Sequence, residues 1–190
     1  GLSNGAFMVG RLACELSQRL SAIAPIAGVY FTAQCQPKRP MPVMMIHGTD
    51  DACVPIEGGQ MCGGCFSAAL EENLDDPPDV QDDFACDALP AAADFWAGKN
   101  TCSGPSTEAE VFEDVTCVSL SSCAGGAEVR RCVVQGGGHT WPGGNYNCNP
   151  RRDYCEAYMK AVGSISAWDA NRAMLDFFSR HTGTSTVSSG

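Results

Sequence analysis

The chain has 190 residues, 44% of them hydrophobic and 18% charged, with a formal net charge of −10. That is enough for one domain with a real core, and the composition is not that of a disordered segment. The acidic balance repels phosphate and so excludes nucleic acid as a partner. No apolar run approaches the roughly 20 residues of a membrane-spanning helix, so no membrane partner is expected.

Twelve cysteines, an even number, point to an oxidising compartment, several disulfides and secretion. Spacing suggests Cys148 with Cys155 across a short polar loop, and Cys102 with Cys123 across a β excursion. Cys62 and Cys65 have CxxC spacing, but no βαβ pattern or nearby histidine supports redox or metal chemistry there. The chain starts without methionine and ends in the Ser/Thr/Gly-rich run 182–190. It is expected to be a fragment: residues 1–181 as part of a catalytic domain, and 182–190 as a tail or linker.

From Gly5 to Leu20, apolar residues at Met8, Val9, Leu12, Ala13, Leu16 and Leu20 have helical spacing. The stretch Ala22–Tyr30 reads as a short buried strand. Val43-Met44-Met45-Ile46 reads as another, continuous in the manner of a strand covered on both faces. The acidic loop from Gly58 to Asp87 carries Glu71, Glu72, Asp75, Asp76, Asp79, Asp82 and Asp83 around Pro77-Pro78. Its spacing is not that of an EF-hand calcium loop, and a solvated acidic loop is expected. A helix over about Pro90–Gly98 buries Phe95 and Trp96. Strands follow at Glu110–Val118 and Ala127–Gln135, separated by the turn-forming Gly125-Gly126 region. A last helix over about Trp168–His181 turns Trp168, Met174, Leu175, Phe177 and Phe178 inward, with Ser166 and Asp169 resembling a capping box. This alternation predicts an α/β fold with a mostly parallel sheet.

The first five residues, Gly1-Leu2-Ser3-Asn4-Gly5, match G-x-S-x-G and open the first helix. A nucleophile on a sharp strand-to-helix turn needs small neighbours, and its following amide, Asn4 N–H, faces a developing oxyanion. An activated serine needs a base, and the base an orienting carboxylate. Of three histidines, His139 lies in a Gly-rich loop just after a strand, where an imidazole can swing to the sheet's carboxyl edge. His47 sits at a strand end with an expected structural role, and His181 ends the last helix, where it suits the dipole. In His47-Gly48-Thr49-Asp50-Asp51 one aspartate is the expected acid and the other stabilises the turn. The chain order of serine, aspartate and histidine is that of α/β-hydrolases.

These motifs make a specific resemblance. Gly1–Met8, Arg11–Ser17, Ala22–Gly28, His47–Asp51, Val54-Pro55, Phe95-Trp96-Ala97, Asn100 and Gly138–Gly144 together resemble the polyhydroxybutyrate depolymerase/feruloyl esterase family of secreted carbohydrate esterases. The resemblance implies an α/β-hydrolase fold, a mostly parallel sheet flanked by helices, here lacking the N-terminal strands. It implies Ser3 as nucleophile, Asp51 rather than Asp50 as acid, and His139 as base, with neither cofactor nor metal. It supports pairing Cys102 with Cys123. It also implies that the second oxyanion amide lies in a part of the domain upstream of this chain. Cys53, Cys62, Cys65, Cys86, Cys117 and Cys132 go beyond the family's usual complement.

The expected activity is hydrolysis of carboxylic esters (feruloyl or acetyl polysaccharide esters, or polyhydroxyalkanoate) through an acyl-enzyme. Trp141, beside His139, is a candidate for stacking on substrate, against the alternative of a buried loop anchor. The tail's composition is that of a link to a carbohydrate-binding module. Two other readings share these residues: a serine peptidase on the same fold, and a non-catalytic hydrolase-like binding module.

Overall fold

A computed structural model of the chain describes residues 1–29, 35–63, 65, 84–146, 148 and 154–182. The acidic run from Glu71 to Asp83 and residues 183–190 of the tail lie outside the described residues.

The first helix, α1 (Asn4–Glu15), starts one residue after Ser3 and is followed by a 3₁₀ turn, Ser17–Arg19. Its buried face is Ala6, Gly10, Ala13 and Cys14, while Met8 is 54% exposed. The inward stripe is therefore made of small residues rather than of the larger apolar ones. Small side chains let the helix lie close to the neighbouring backbone: a Cβ on Gly28 would stand 3.1 Å from both Ala6 Cβ and Ser3 O.

Residues 22–29 do not form the continuous strand expected over 22–30, whose last residue lies outside the described ones. They make isolated parallel bridges instead, Ile23 to Val43, Ile26 to Ile46 and Ile26 to Leu2. The hydrogen bonds explain why. Ile23 N–H donates to Pro42 O, Met44 N–H to Ile23 O, Ile46 N–H to Pro25 O and Ala27 N–H to Ile46 O. The missing rung falls at Pro25, which has no N–H to give. On the other side Ile26 N–H reaches Gly1 O and Ser3 N–H reaches Ile26 O, so the parallel arrangement runs on to the residues just before the serine.

Strand β1 (Val43–Gly48) is buried at every residue. A short antiparallel pair, β2 (Gly59–Cys62) and β3 (Phe84–Cys86), stands apart as a second sheet. Helix α2 (Leu89–Lys99) precedes the hairpin β4 (Thr107–Phe112) and β5 (Val115–Leu120), then β6 (Val129–Val134). The single strand expected over Glu110–Val118 is thus two, turned at Glu113-Asp114. The main sheet has the order β1-β6-β5-β4, parallel between β1 and β6 and antiparallel across the other two pairs. It is a mixed sheet, where the helix–strand alternation predicted a mostly parallel one. A hairpin needs only a tight turn, whereas a parallel crossover needs a long connection, and the short link at 113–114 admits only the former.

The residues of β1 alternate between two cores, as successive strand side chains must. Met44 and Ile46 join Val115, Val134, Trp168, Met174 and Phe177 on one face. Val43 and Met45 join Ala13, Ile23, Leu89, Trp96 and Val129 on the other. Two further helices follow β6: α3 (Tyr154–Val162) and α4 (Ala170–Arg180). Asp169, expected at the third position of a capping box with Ser166, is itself the N-cap of α4 and accepts from Arg172 N–H. Ser166 instead accepts from Trp168 N–H and donates to Asp114. Phe95 is half-buried beside the buried Trp96, and Leu175 is 67% exposed rather than inward. At the end of α2, buried Asn100 bonds both the N–H and the carbonyl of Met41, tying this helix to the entry of β1.

All twelve cysteines are paired: 14 with 35, 53 with 65, 62 with 86, 102 with 123, 117 with 132 and 148 with 155. Both spacing-based pairings form. Cys62 and Cys65 go to different partners, so their CxxC spacing makes no local redox couple. Six disulfides fit an oxidising compartment. Among the described residues no helix is long and apolar enough to cross a membrane.

Candidate functional site

The site is built at the carboxyl ends of β1 and β6, where side chains leaving a parallel pair converge. The chain leaves β1 through Gly48 and turns at once. Thr49 N–H donates to Val134 O, Asp50 N–H to Gly137 O, and Gly136 N–H to the Thr49 hydroxyl. These bonds lash the two strand ends together, and the glycines are what permits it. A Cβ on Gly48 would run into Gly137 O, and one on Gly138 into Val162 O.

Within this frame the two adjacent aspartates separate. Asp50 is exposed and accepts from the Thr49 hydroxyl, the turn-stabilising role. Asp51 is buried, and its Oδ1 accepts from Cys53 N–H at 2.9 Å and Val54 N–H at 2.7 Å. His139 Nδ1 meets both carboxylate oxygens, at 3.0 and 2.9 Å. Burial pushes the Asp51 carboxyl up, but hydrogen bonds from His139 and His47, the His139 charge and the Val54 amide together hold it below the usual carboxylate value. Asp51 therefore presents an ionised acceptor to Nδ1, which fixes the proton there and leaves Nε2 as the basic nitrogen.

His139 reaches the carboxyl edge of the sheet from a loop held by hydrogen bonds. It is 4% exposed, and its loop is pinned by His139 N–H to Val162 O, Gly138 N–H to Ser164 O and Thr140 Oγ1–H to Ser164 O. A run rich in glycine reads as flexible in sequence; here Gly137 and Gly138 serve close packing, a Cβ on either meeting Val134 or Val162.

Ser3 stands at the same carboxyl edge, one residue past Leu2, which bridges to Ile26 as Ile26 does to Ile46 of β1. Its φ of 56° and ψ of −123° lie in a region costly for a residue with a Cβ, a strain that persists only where the surroundings impose it. Ser3 is the N-cap of α1, so Asn4 N–H is one of the opening amides that have no intrahelical acceptor. Of the two motif glycines, only Gly1 is needed for room. Its Cβ would come within 2.5 Å of Gly5 O, whereas one on Gly5 would meet nothing within 4 Å.

Trp141 is half-buried and packs against the core that holds Trp168 and Phe177. His181 lies far along the chain, with its Nε2 3.4 Å from Glu128 Oε2. Asp51, Cys53 and His139 present ligand-type atoms within 4.8 Å of one another. Cys53 is consumed in its disulfide with Cys65 and offers no thiolate, so this donor set does not suit a metal. Two features of the site escaped the sequence reading. One is His47, whose ring approaches the same carboxylate; the other is the Cys53–Cys65 staple on the acid's loop. The five-residue motif run from His47 to Asp51 was the available signal for the first, since it places both groups at one strand end.

The fold and the site define a mixed α/β protein with a buried carboxylate–imidazole pair and a strained serine at one sheet edge. The chain is 28% identical over 152 residues to feruloyl esterase B of Piromyces equi, covering 73% of this chain and 24% of that protein. It is 31% identical over 169 residues to the protein named "Putative esterase NocK" of Nocardia uniformis subsp. tsuyamanensis, covering 79% of this chain and 43% of that one. The chain thus spans from a quarter to less than half the length of these two curated relatives, both named as esterases. No family model matches it.

Proposed function

We propose that this chain carries the catalytic residues of a secreted serine esterase of the α/β-hydrolase type. The observation that carries the reading is the buried two-oxygen contact of Asp51 with His139 Nδ1. That contact is the orientation a general base needs if its other nitrogen is to take a proton from a serine.

In the proposed reaction Ser3 Oγ attacks the ester carbonyl as His139 Nε2 takes its proton. Asn4 N–H stabilises the oxyanion, with a second donor supplied from elsewhere in the whole protein. His139 then protonates the leaving alcohol, and water, deprotonated by the same nitrogen, hydrolyses the acyl-enzyme. Asp51 stays ionised throughout and stabilises the imidazolium. The substrates proposed are feruloyl or acetyl esters of plant polysaccharide, or polyhydroxyalkanoate; a relative named feruloyl esterase favours the first. Trp141 is the proposed aromatic contact for them.

The test is Ser3→Ala in the full-length protein against a panel of aryl, acetyl and hydroxyalkanoate esters. Turnover is expected to fall by roughly three orders of magnitude or more. Unchanged turnover sinks the assignment.

A further inference from the structure

Two imidazoles, not one, address the Asp51 carboxylate. His47, on β1, is 1% exposed. Its Nε2 lies 2.8 Å from the carbonyl oxygen of Val54 and 3.4 Å from Asp51 Oδ2. A carbonyl can only accept, so the proton of that ring sits on Nε2. His47 Nδ1 is buried and has no hydrogen-bond partner among the described residues. A proton on Nδ1 would be a buried donor without an acceptor among the described residues, which is costly. The geometry therefore favours the tautomer with its proton on Nε2, the side that faces the acid.

The groups around the carboxylate complete the picture. Oδ1 takes Cys53 N–H and Val54 N–H from its own loop; both oxygens take His139 Nδ1–H from the loop after β6; Oδ2 faces His47 from β1. Among the described residues, His47 is the one group that approaches Oδ2 from the sheet. Through Val54 O it also holds the residue whose amide binds Oδ1.

We propose that His47 is a positioning residue for the acid–base pair: its Nε2–H, shared between Val54 O and Asp51 Oδ2, fixes the rotation of the carboxylate that His139 reads. The proposal rests on the catalytic reading above. It goes further by giving the second histidine of the strand end a role in the reaction, transmitted through Asp51, rather than a role in packing alone.

The first test uses the unaltered full-length protein labelled with 15N-histidine. One histidine should show a protonated Nε2 and a bare Nδ1, and a second a strongly downfield Nδ1–H proton from its contact with Asp51. If His47 proves to be protonated on Nδ1 only, the proposal is overturned. The second test compares His47→Leu with His47→Gln, whose amide can supply an N–H near the Nε2 position. His47→Leu is expected to lower kcat by ~10- to 100-fold, the range seen when an orienting partner of a site residue is removed, with KM little changed. The His139 Nδ1–H resonance should move upfield, and His47→Gln should recover most of both.

A packing brace alone would lower Tm without moving that resonance or kcat. A folded His47→Leu protein with wild-type kcat and resonance therefore overturns the proposal. Should His47→Leu not fold, the tautomer in the unaltered protein and the kcat of His47→Gln decide. A folded His47→Gln with kcat depressed as far as in Ser3→Ala overturns it as well. Ser3→Ala in the same assay separates the two readings: undiminished turnover removes the serine mechanism, while the tautomer result stands by itself.

Discussion

The two ends of the main sheet follow opposite rules. At the carboxyl ends of β1 and β6 nearly every group is committed: Asp51, His47 and His139 are each at most 4% exposed, and glycine is needed where backbone meets backbone. At the other side of the sheet, the outer strand β4 is exposed along most of its length and carries Glu108 and Glu110. A charged outer strand discourages pairing with other chains and asks little of its individual side chains. The site end has no such slack; the serine mechanism proposed for it would need its acid and base held within a few tenths of an ångström of their productive positions.

The sharpest way to break this contrast is Asp51→Asn in the full-length protein. An amide would favour the wrong imidazole tautomer, and kcat is expected to fall by about four orders of magnitude. The same variant has a consequence for stability. Because the folded carboxyl is held below its ordinary value, its contribution is fully present above the usual carboxylate range and is lost as pH falls through the lowered value. Urea titrations at stepped pH should show a stability loss in acid that is smaller in Asp51→Asn than in the parent. Equal slopes would mean that Asp51 is not the depressed group.

Next in size is Gly138→Ala. The added methyl would collide with Val162 O, between the base's loop and the end of α3, and about 3 kcal/mol or more of stability should be lost. A loss under ~1 kcal/mol by denaturant titration would show that the loop has room to shift. Smallest is Glu110→Ala on β4, expected within about 0.5 kcal/mol of the parent in the same titration. A larger effect would show that the outer hairpin is more tightly constrained than its exposure indicates.

Much of the candidate site was legible because the chemistry proposed for it uses few residue types at local spacings. The proposed nucleophile turn occupies five adjacent residues, and the strand-end run from His47 to Asp51 places the proposed acid directly after a buried strand. What was misread follows from the same locality. The Gly-rich run around His139 has the composition of a mobile loop, yet Val162 and Ser164, more than 20 residues away, pin it. A structural role was expected of His47 because nothing in its sequence neighbourhood says that a ring on β1 turns toward Asp51 four residues on. The hairpin at Glu113-Asp114 was missed because that turn carries no glycine or proline, and the stripe of α1 because small residues rather than large ones face inward.

By itself the sequence determined the residue types of the proposed catalytic apparatus, the oxidising environment implied by the cysteines, and the strand-and-helix character of the chain, since each depends on composition or short-range pattern. The tertiary structure decided which aspartate is buried, how the six disulfides pair, that the sheet is mixed, and that two imidazoles share one carboxylate. Those outcomes depend on contacts between residues far apart in the chain, such as 51 with 139, and local pattern carries no record of which distant groups will meet.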